Sequence, residues 1–249
     1  MFNDVLTRSK AIYETTDGAF DPTVGPLVSA WGFGADKQPT IPDSVTVDSL
    51  KQLVGFHKLN IGTTVIMDKS MYLDFSAIAK GYAVDLVAEF LEGNEFENYM
   101  VEIGGEVRTK GVNEQNETWK IGIEDPMVGM DEQRLMAIVQ LNDLSMATSG
   151  NYRNYYQLEG RTIAHTIDPR TGYNTTHSLL SASVFAEDCM TADAYATAFM
   201  VLGLEGSKEI LSNSNLEAYF IYQDSEGELK SFVSEGIAGS LELNKLAID

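Results

Sequence analysis

Asp193 and Thr197 stand four residues apart in the stretch Cys189-Met-Thr-Ala-Asp-Ala-Tyr-Ala-Thr-Ala-Phe-Met-Val-Leu-Gly203. On a helix, that spacing sets the two side chains one above the other on a single face. A carboxylate and a hydroxyl presented this way, among alanines that permit a close approach, make two oxygen ligands for a hard cation such as Mg2+. Taken alone, the pair also has a plain structural explanation, in which an acid near a helix N-terminus opposes the helix dipole and a threonine fills space. His165 is a second candidate. It ends a strand-like run just before Pro169-Arg-Thr-Gly172, where a general base is commonly presented and where a lone histidine also serves as a hydrogen-bonded structural residue. His57 and His177 have no chemistry-bearing neighbours in sequence and read as surface or loop residues. Ala147-Thr-Ser-Gly150, continued by Asn151-Tyr-Arg153, puts two hydroxyls beside a glycine, either a ligand-binding loop or an ST-turn. The chain has no phosphate-binding Gly-Lys-Ser/Thr loop, no dinucleotide glycine fingerprint and no Gly-x-Ser-x-Gly elbow.

These residues need elements to hold them. Alanines at 192, 194, 196 and 198, with Tyr195, Phe199 and Leu202 on one face, predict a helix from 189 with Thr191 as N-cap and Gly203 as its stop. Ile78, Tyr82, Leu86 and Phe90, spaced by four, predict a second helix opening near Asp74 and ending at Gly93. Residues 2–16 read as an amphipathic helix, 34–49 as a polar surface loop, 50–56 as a short helix, and 59–73 as two strands around Asp68-Lys69-Ser70. Strands are expected at 98–103, 105–110, 118–123, 135–141, 144–148 and 179–186, with hairpins through Glu159-Gly160 and Ser225-Glu-Gly227. Gly104-Gly105 suggests a bulge or a close backbone approach. Strands outnumber helices and do not alternate with them, so the fold class is α+β, with a mixed, largely antiparallel sheet and packed helices in a single domain spanning 1–249.

The net charge of −20, from 37 acids against 17 bases, argues against a nucleic-acid backbone or an anionic membrane as partner. A phosphorylated ligand remains compatible if a cation or local amides offset the charge. The single cysteine, Cys189, excludes an intrachain disulfide and a cysteine zinc site. No apolar run is long enough to span a bilayer.

In chain order, Gly18-Ala-Phe-Asp-Pro-Thr-Val-Gly-Pro-Leu27, Trp31-Gly-Phe-Gly34, Asp74-Phe-Ser-Ala-Ile-Ala-Lys-Gly-Tyr-Ala83, Ile103-Gly-Gly-Glu106, Ala147-Thr-Ser-Gly150, His165-Thr-Ile-Asp-Pro-Arg-Thr-Gly172 and Thr191-Ala-Asp-Ala-Tyr-Ala-Thr197 resemble the ApbE-type flavin transferases. The resemblance runs from about Thr15 to the end of the chain. It implies an ApbE-like, T-fold-related architecture and a Mg2+-dependent FAD:protein FMN transferase. Such an enzyme cleaves the FAD pyrophosphate, attaches FMN through a phosphoester to a Thr or Ser of an acceptor protein, and releases AMP. Relatives that hydrolyse FAD to FMN and AMP, or a flavin-binding protein without turnover, are the alternatives.

By the same resemblance, Asp193, Thr197 and the backbone carbonyl of Ala77 would bind Mg2+. Ala19, Phe20, Asp21, Asp74, Lys80 and Ile167 would line the FAD site. His165 matches the proposed base, and Asp193 joins it as a catalytic residue. The expected acceptor is a respiratory or electron-transfer subunit, and the expected location is periplasmic or cell-envelope facing. The start, Met1-Phe-Asn-Asp-Val-Leu6, does not read as a signal peptide. The segment with which the family usually begins, including a part that contacts the flavin, is missing from this chain, so one flank of the FAD site is expected to be open.

Overall fold

The structure is a computed structural model that describes residues 1–34, 38–127, 134–151, 155–158 and 160–244. The order of elements begins with α1 (Phe2–Thr15), α2 (Gly25–Ala30) and α3 (Ser44–Lys51), then a short ribbon of β1 (Asn60–Ile61) and β2 (Val65–Ile66), then α4 (Ala79–Gly93). Strands β3 (Tyr99–Ile103), β4 (Glu106–Lys110), β5 (Trp119–Glu124), β6 (Leu135–Leu141), β7 (Ser145–Gly150), β8 (Tyr155–Leu158), β9 (Arg161–Ala164) and β10 (Leu179–Ala186) follow. The chain continues through α5 (Cys189–Leu211), β11 (Glu217–Gln223), β12 (Leu229–Val233), α6 (Glu235–Ala238) and β13 (Leu241–Leu243).

A six-stranded sheet in the order β12-β11-β10-β7-β4-β3, antiparallel at every pairing, is the centre of the molecule. Successive side chains alternate between its two faces, so each set meets a different layer. Ala147, Ala182, Val184, Ala218 and Phe220 pack on α5 and α1. Val107, Met146, Phe185, Tyr219 and Ile221 face the three-stranded sheet β13-β6-β5 and Ile237 of α6. A smaller cluster joins Leu27 and Trp31 to Val47, Val54, Ile163 and Ile167, which seats the β8–β9 hairpin beside α2 and α3. The α+β class and the strands expected from alternation are found.

Several local expectations are corrected. The stretch read as a loop over 34–49 contains α3, started by Asp43, whose carboxylate accepts from the Thr46 amide; the chain at 52–54 is turn and coil, and residues 35–37 lie outside the described residues. The ribbon turns at 62–64, not at Asp68-Lys69-Ser70, which is a separate turn held by Asp68. Glu159 and residues 152–154 of the expected hairpin lie outside the described residues, while β8 and β9 pair on either side. Gly104 and Gly105, with φ of 63° and 100°, form the two-residue turn joining β3 to β4, where a left-handed backbone is needed.

Helix α4 starts at Ala79, and its fully buried residues are Gly81, Val84, Asp85 and Ala88; of the large residues at four-residue spacing, Ile78 is buried at the N-cap, Tyr82 and Leu86 are half-buried, and Phe90 is 67% exposed. The small side chains allow a close approach to α5. A Cβ on Gly81 would lie 2.2 Å from the Cys189 carbonyl oxygen. The N-cap of α5 is Asp188, whose side chain accepts from the Thr191 amide at 2.8 Å. Asp85 reaches across from α4 to accept from the Cys189 and Met190 amides at 2.9 and 2.8 Å, so two carboxylates satisfy the open end of the helix. Gly203 does break the helix, at φ 72° and ψ −177°, and helical structure then resumes to Leu211. His177 lies in the loop before β10, as expected, but half-buried against that break; one ring nitrogen, Nε2, lies 2.8 Å from the Met200 carbonyl.

Candidate active site

The N-terminal half of α5, the first turn of α4 and the end of β7 meet at Asp193 and Thr197. Asp193 is 4% exposed and its Oδ2 accepts from the Gly81 amide at 2.9 Å. Burial pushes its carboxyl up to about 6, an effect the Gly81 hydrogen bond opposes and the charge of Glu106 reinforces. A buried carboxylate in that position is electrostatically short of a cation. Thr197 lies one turn on, its Oγ1 at 3.2 Å from Ser149 Oγ of β7. In a regular helix the Gly81 amide would close on the carbonyl four residues back, that of Ala77. Here it is spent on Asp193, and Ala77 lines the same cleft.

A carboxylate, a hydroxyl and a carbonyl suit a hard cation. Among the described residues no group of three or more His, Cys, Asp or Glu could hold a metal. An oxygen set with one carboxylate is sufficient only for an ion such as Mg2+, which keeps waters and shares substrate phosphate oxygens.

The rest of the cleft is built by distant segments. Its volume is about 620 Å3, within the usual range for a ligand site, and all ten residues singled out from the sequence line it: Ala19, Phe20, Asp21, Asp74, Ala77, Lys80, His165, Ile167, Asp193 and Thr197. Ala19 and Phe20 are buried apolar wall. The Asp21 carboxylate braces the wall from behind. Its Oδ1 accepts from the Thr23 amide and hydroxyl, and its Oδ2 from the Phe56 amide at 3.1 Å. Burial raises its pKa against those hydrogen bonds. Asp74 holds the Ser76 amide at 2.9 Å and donates its own amide to the Pro22 carbonyl, which ties two cleft segments together.

Lys80 points its ammonium at Glu106 Oε2, 2.5 Å away. His165 lines the same cleft with its ring edge-on to Phe33, centroids 6.2 Å apart, and Phe33 in turn contacts Tyr156 at 5.1 Å. Ile167 is buried beside it. Arg153 lies outside the described residues. Ser149, from the hydroxyl pair beside Gly150 that the sequence offers as a ligand-binding stretch, lines the cleft on β7. Glu106 and Phe33 also line it, and the sequence alone does not single them out as site residues, although each falls inside one of the ordered motifs; their signal is a carboxylate or an aromatic ring placed beside glycines.

The ApbE family model matches residues 1–220. The chain belongs to the ApbE family. It is 41% identical to the FAD:protein FMN transferase of Haemophilus influenzae, over 91% of this chain and 67% of that protein. It is 40% identical to the one from Vibrio cholerae, over 85% of this chain and 64% of the relative. The chain therefore spans about two thirds of the length of these curated relatives. Among solved structures, the flavin transferase ApbE from Vibrio cholerae superposes with a TM-score of 0.83 at 36% identity, covering 95% of this chain and 75% of that one. The flavinyl transferase ApbE of Pseudomonas stutzeri, in its apo form, gives a TM-score of 0.84 at 32% identity, covering 96% and 74%. The ApbE fold thus accounts for the two-sheet, α5-centred architecture described above.

Proposed function

We propose that this chain is a Mg2+-dependent FAD:protein FMN transferase. What supports the reading most directly is that residues from all seven ordered motifs of an ApbE-family chain line one cleft, among them a cation-seeking carboxylate and a histidine. Asp193, Thr197 and the Ala77 carbonyl would hold the cation. When bound, Mg2+ supplies the positive charge that the FAD pyrophosphate needs in a protein of net charge −20. Lys80 adds a second positive charge at the same wall. Phe20, Ile167 and Phe33 give the flavin an apolar surface.

In this reading His165 takes the proton from the acceptor Thr or Ser hydroxyl. The acceptor oxygen forms a bond to the FMN phosphorus, the bond from that phosphorus to the bridging oxygen breaks, and AMP departs with the bridging oxygen. The test is incubation with FAD, Mg2+ and a candidate acceptor domain, followed by mass spectrometry. An FMN adduct on a Thr or Ser supports transfer. AMP release that is equal with and without acceptor, and no adduct, would make the protein an FAD hydrolase. By family resemblance, the reaction takes place in the periplasm or cell envelope on a respiratory or electron-transfer subunit; fractionation of the producing cells checks the location.

A further inference from the structure

Glu106 is a buried carboxylate with no part in the reaction outlined above. It opens β4, is 2% exposed, and receives the Lys80 ammonium at 2.5 Å, while the Lys80 side chain is 47% exposed toward the cleft. The β3–β4 turn lies directly under this contact. A Cβ on Gly104 would lie 3.5 Å from Lys80 Cδ and 3.7 Å from Glu106 Oε2, so the lysine stem runs over the glycine turn to reach the glutamate. Asp193 is the second buried carboxylate near the same ammonium. It is bonded to the amide of the residue after Lys80, and the charges of both Lys80 and Glu106 act on it. Two carboxylates thus share one lysine, and the lysine sits on Glu106.

We infer that Glu106 is a positioning residue that anchors the Lys80 ammonium on the β4 side of the cleft and so keeps it out of the seat beside Asp193 that a divalent cation takes. The inference rests on the reading of Asp193, Thr197 and Ala77 as cation ligands. An ammonium is a compact charge on a flexible four-carbon stem, and a buried carboxylate without a cation attracts it strongly. Released from Glu106, Lys80 would pair with Asp193 and stand in for the metal. Held by Glu106, it stays where a phosphate oxygen can meet it, and the negative charge beside the cation seat is kept.

The test uses Mn2+, which accepts the same oxygen ligands as Mg2+ and is read by electron paramagnetic resonance without turnover. Mn2+ is titrated into the wild type, Glu106→Gln, Lys80→Met and the Lys80→Met/Glu106→Gln double variant, with and without FAD. Glu106→Gln is expected to weaken Mn2+ binding by about 10–100-fold, and the double variant to recover to within about threefold of the wild type. FAD affinity, followed by flavin fluorescence, stays weakened in the double variant because the lysine is gone.

An unchanged Mn2+ affinity in Glu106→Gln, or no recovery in the double variant, overturns the inference. Should Glu106→Gln not fold, Lys80→Met decides alone: Mn2+ binding at least as tight as the wild type supports the anchor role, and weaker binding refutes it. A wild type that binds Mn2+ but yields neither adduct nor AMP refutes the proposed function and leaves the Glu106 comparison decisive. A wild type that transfers FMN while Glu106→Gln binds Mn2+ normally refutes only the inference. No Mn2+ binding under either condition refutes the cation reading and the inference with it.

Discussion

The Gly81 amide donates to Asp193 Oδ2 at 2.9 Å, and this bond crosses a close approach of α4 to α5. A Cβ on Gly81 would stand 2.2 Å from the Cys189 carbonyl oxygen and 2.8 Å from Asp193 Cβ, and neither neighbour is the far end of a flexible side chain. Gly81→Ala must therefore push the helices apart. A cost of about 1–3 kcal/mol is expected, together with loss of the turn that presents Asp193, Ala77 and Lys80 as a unit. Thermal melting should show a drop of several degrees. FAD cleavage should fall by more than the folded fraction explains.

Asp193→Asn keeps the volume and the acceptor for the Gly81 amide but removes the charge. Burial lifts the Asp193 carboxyl from 3.8 to about 6, which corresponds to roughly 3 kcal/mol between its two protonation states. The folded pKa exceeds the unfolded one, so the native state holds the extra proton between about pH 4 and 6, and stability without metal falls as pH rises through that window. The asparagine variant should lose this slope and melt higher than the metal-free wild type at pH 7. Mg2+ with FAD should no longer raise its melting temperature, and turnover should be abolished. Undiminished turnover would remove Asp193 from the metal site.

His177 should bend the pH profile the other way. Its Nε2 lies 2.8 Å from the Met200 carbonyl and its Nδ1 accepts from the Leu179 amide at 3.3 Å, an arrangement that fits a neutral ring with the proton on Nε2. Burial lowers its pKa below 6.5. The unfolded chain then binds the extra proton, so this contribution to stability is intact above about pH 6.5 and is lost as pH falls below it. His177→Phe fills the same space at the Gly203 break without titrating. It should cost about 1–3 kcal/mol for the two lost hydrogen bonds at neutral pH. The difference from the wild type should shrink as the buffer is made more acidic, which melting curves across pH 5–8 will register.

The sheet is largely legible in the sequence because alternation has a short period and its turns carry glycine; the runs at 135–141 and 179–186 match β6 and β10. The helices are less so. Four-residue spacing of large residues finds buried Ile78 and half-buried Tyr82 and Leu86 but misses the most buried face of α4, because a close helix crossing selects Gly81, Val84 and Ala88, and the fourth buried residue, Asp85, is polar because it caps a neighbouring helix. Likewise Asp188 displaces Thr191 as the cap of α5, since a carboxylate three residues earlier can reach the Thr191 amide. The eight residues of α3 bury only Val47 fully and carry too little periodicity to stand out from a polar stretch. For the site, spacing alone offers Asp193 with Thr197 and the isolated His165. Convergence of residues as distant as Ala19 and Thr197 on one cleft is set by the tertiary fold, and only the ordered motifs anticipate it.

His165 is held in place through aromatic contacts. Its ring meets Phe33 edge-on at 67°, Phe33 leans on Tyr156, and the Tyr156 hydroxyl lies 2.7 Å from the carbonyls of both Trp31 and Thr40. If the ring takes the acceptor's proton, His165→Ala should lower transfer by about 10²–10⁴-fold. FAD affinity, measured by flavin fluorescence, should change little, because in the proposed reading the pyrophosphate would meet its charge contacts on α4 and α5. Phe33→Ala removes the support without removing the base. It should lower the transfer rate less than His165→Ala does, and it should also weaken FAD binding, since Phe33 lines the cleft itself. The contrast between the two variants separates chemistry from binding. Equal losses of affinity and rate in His165→Ala would instead assign the histidine to holding the flavin, and the acceptor hydroxyl would then need its base elsewhere on the cleft rim.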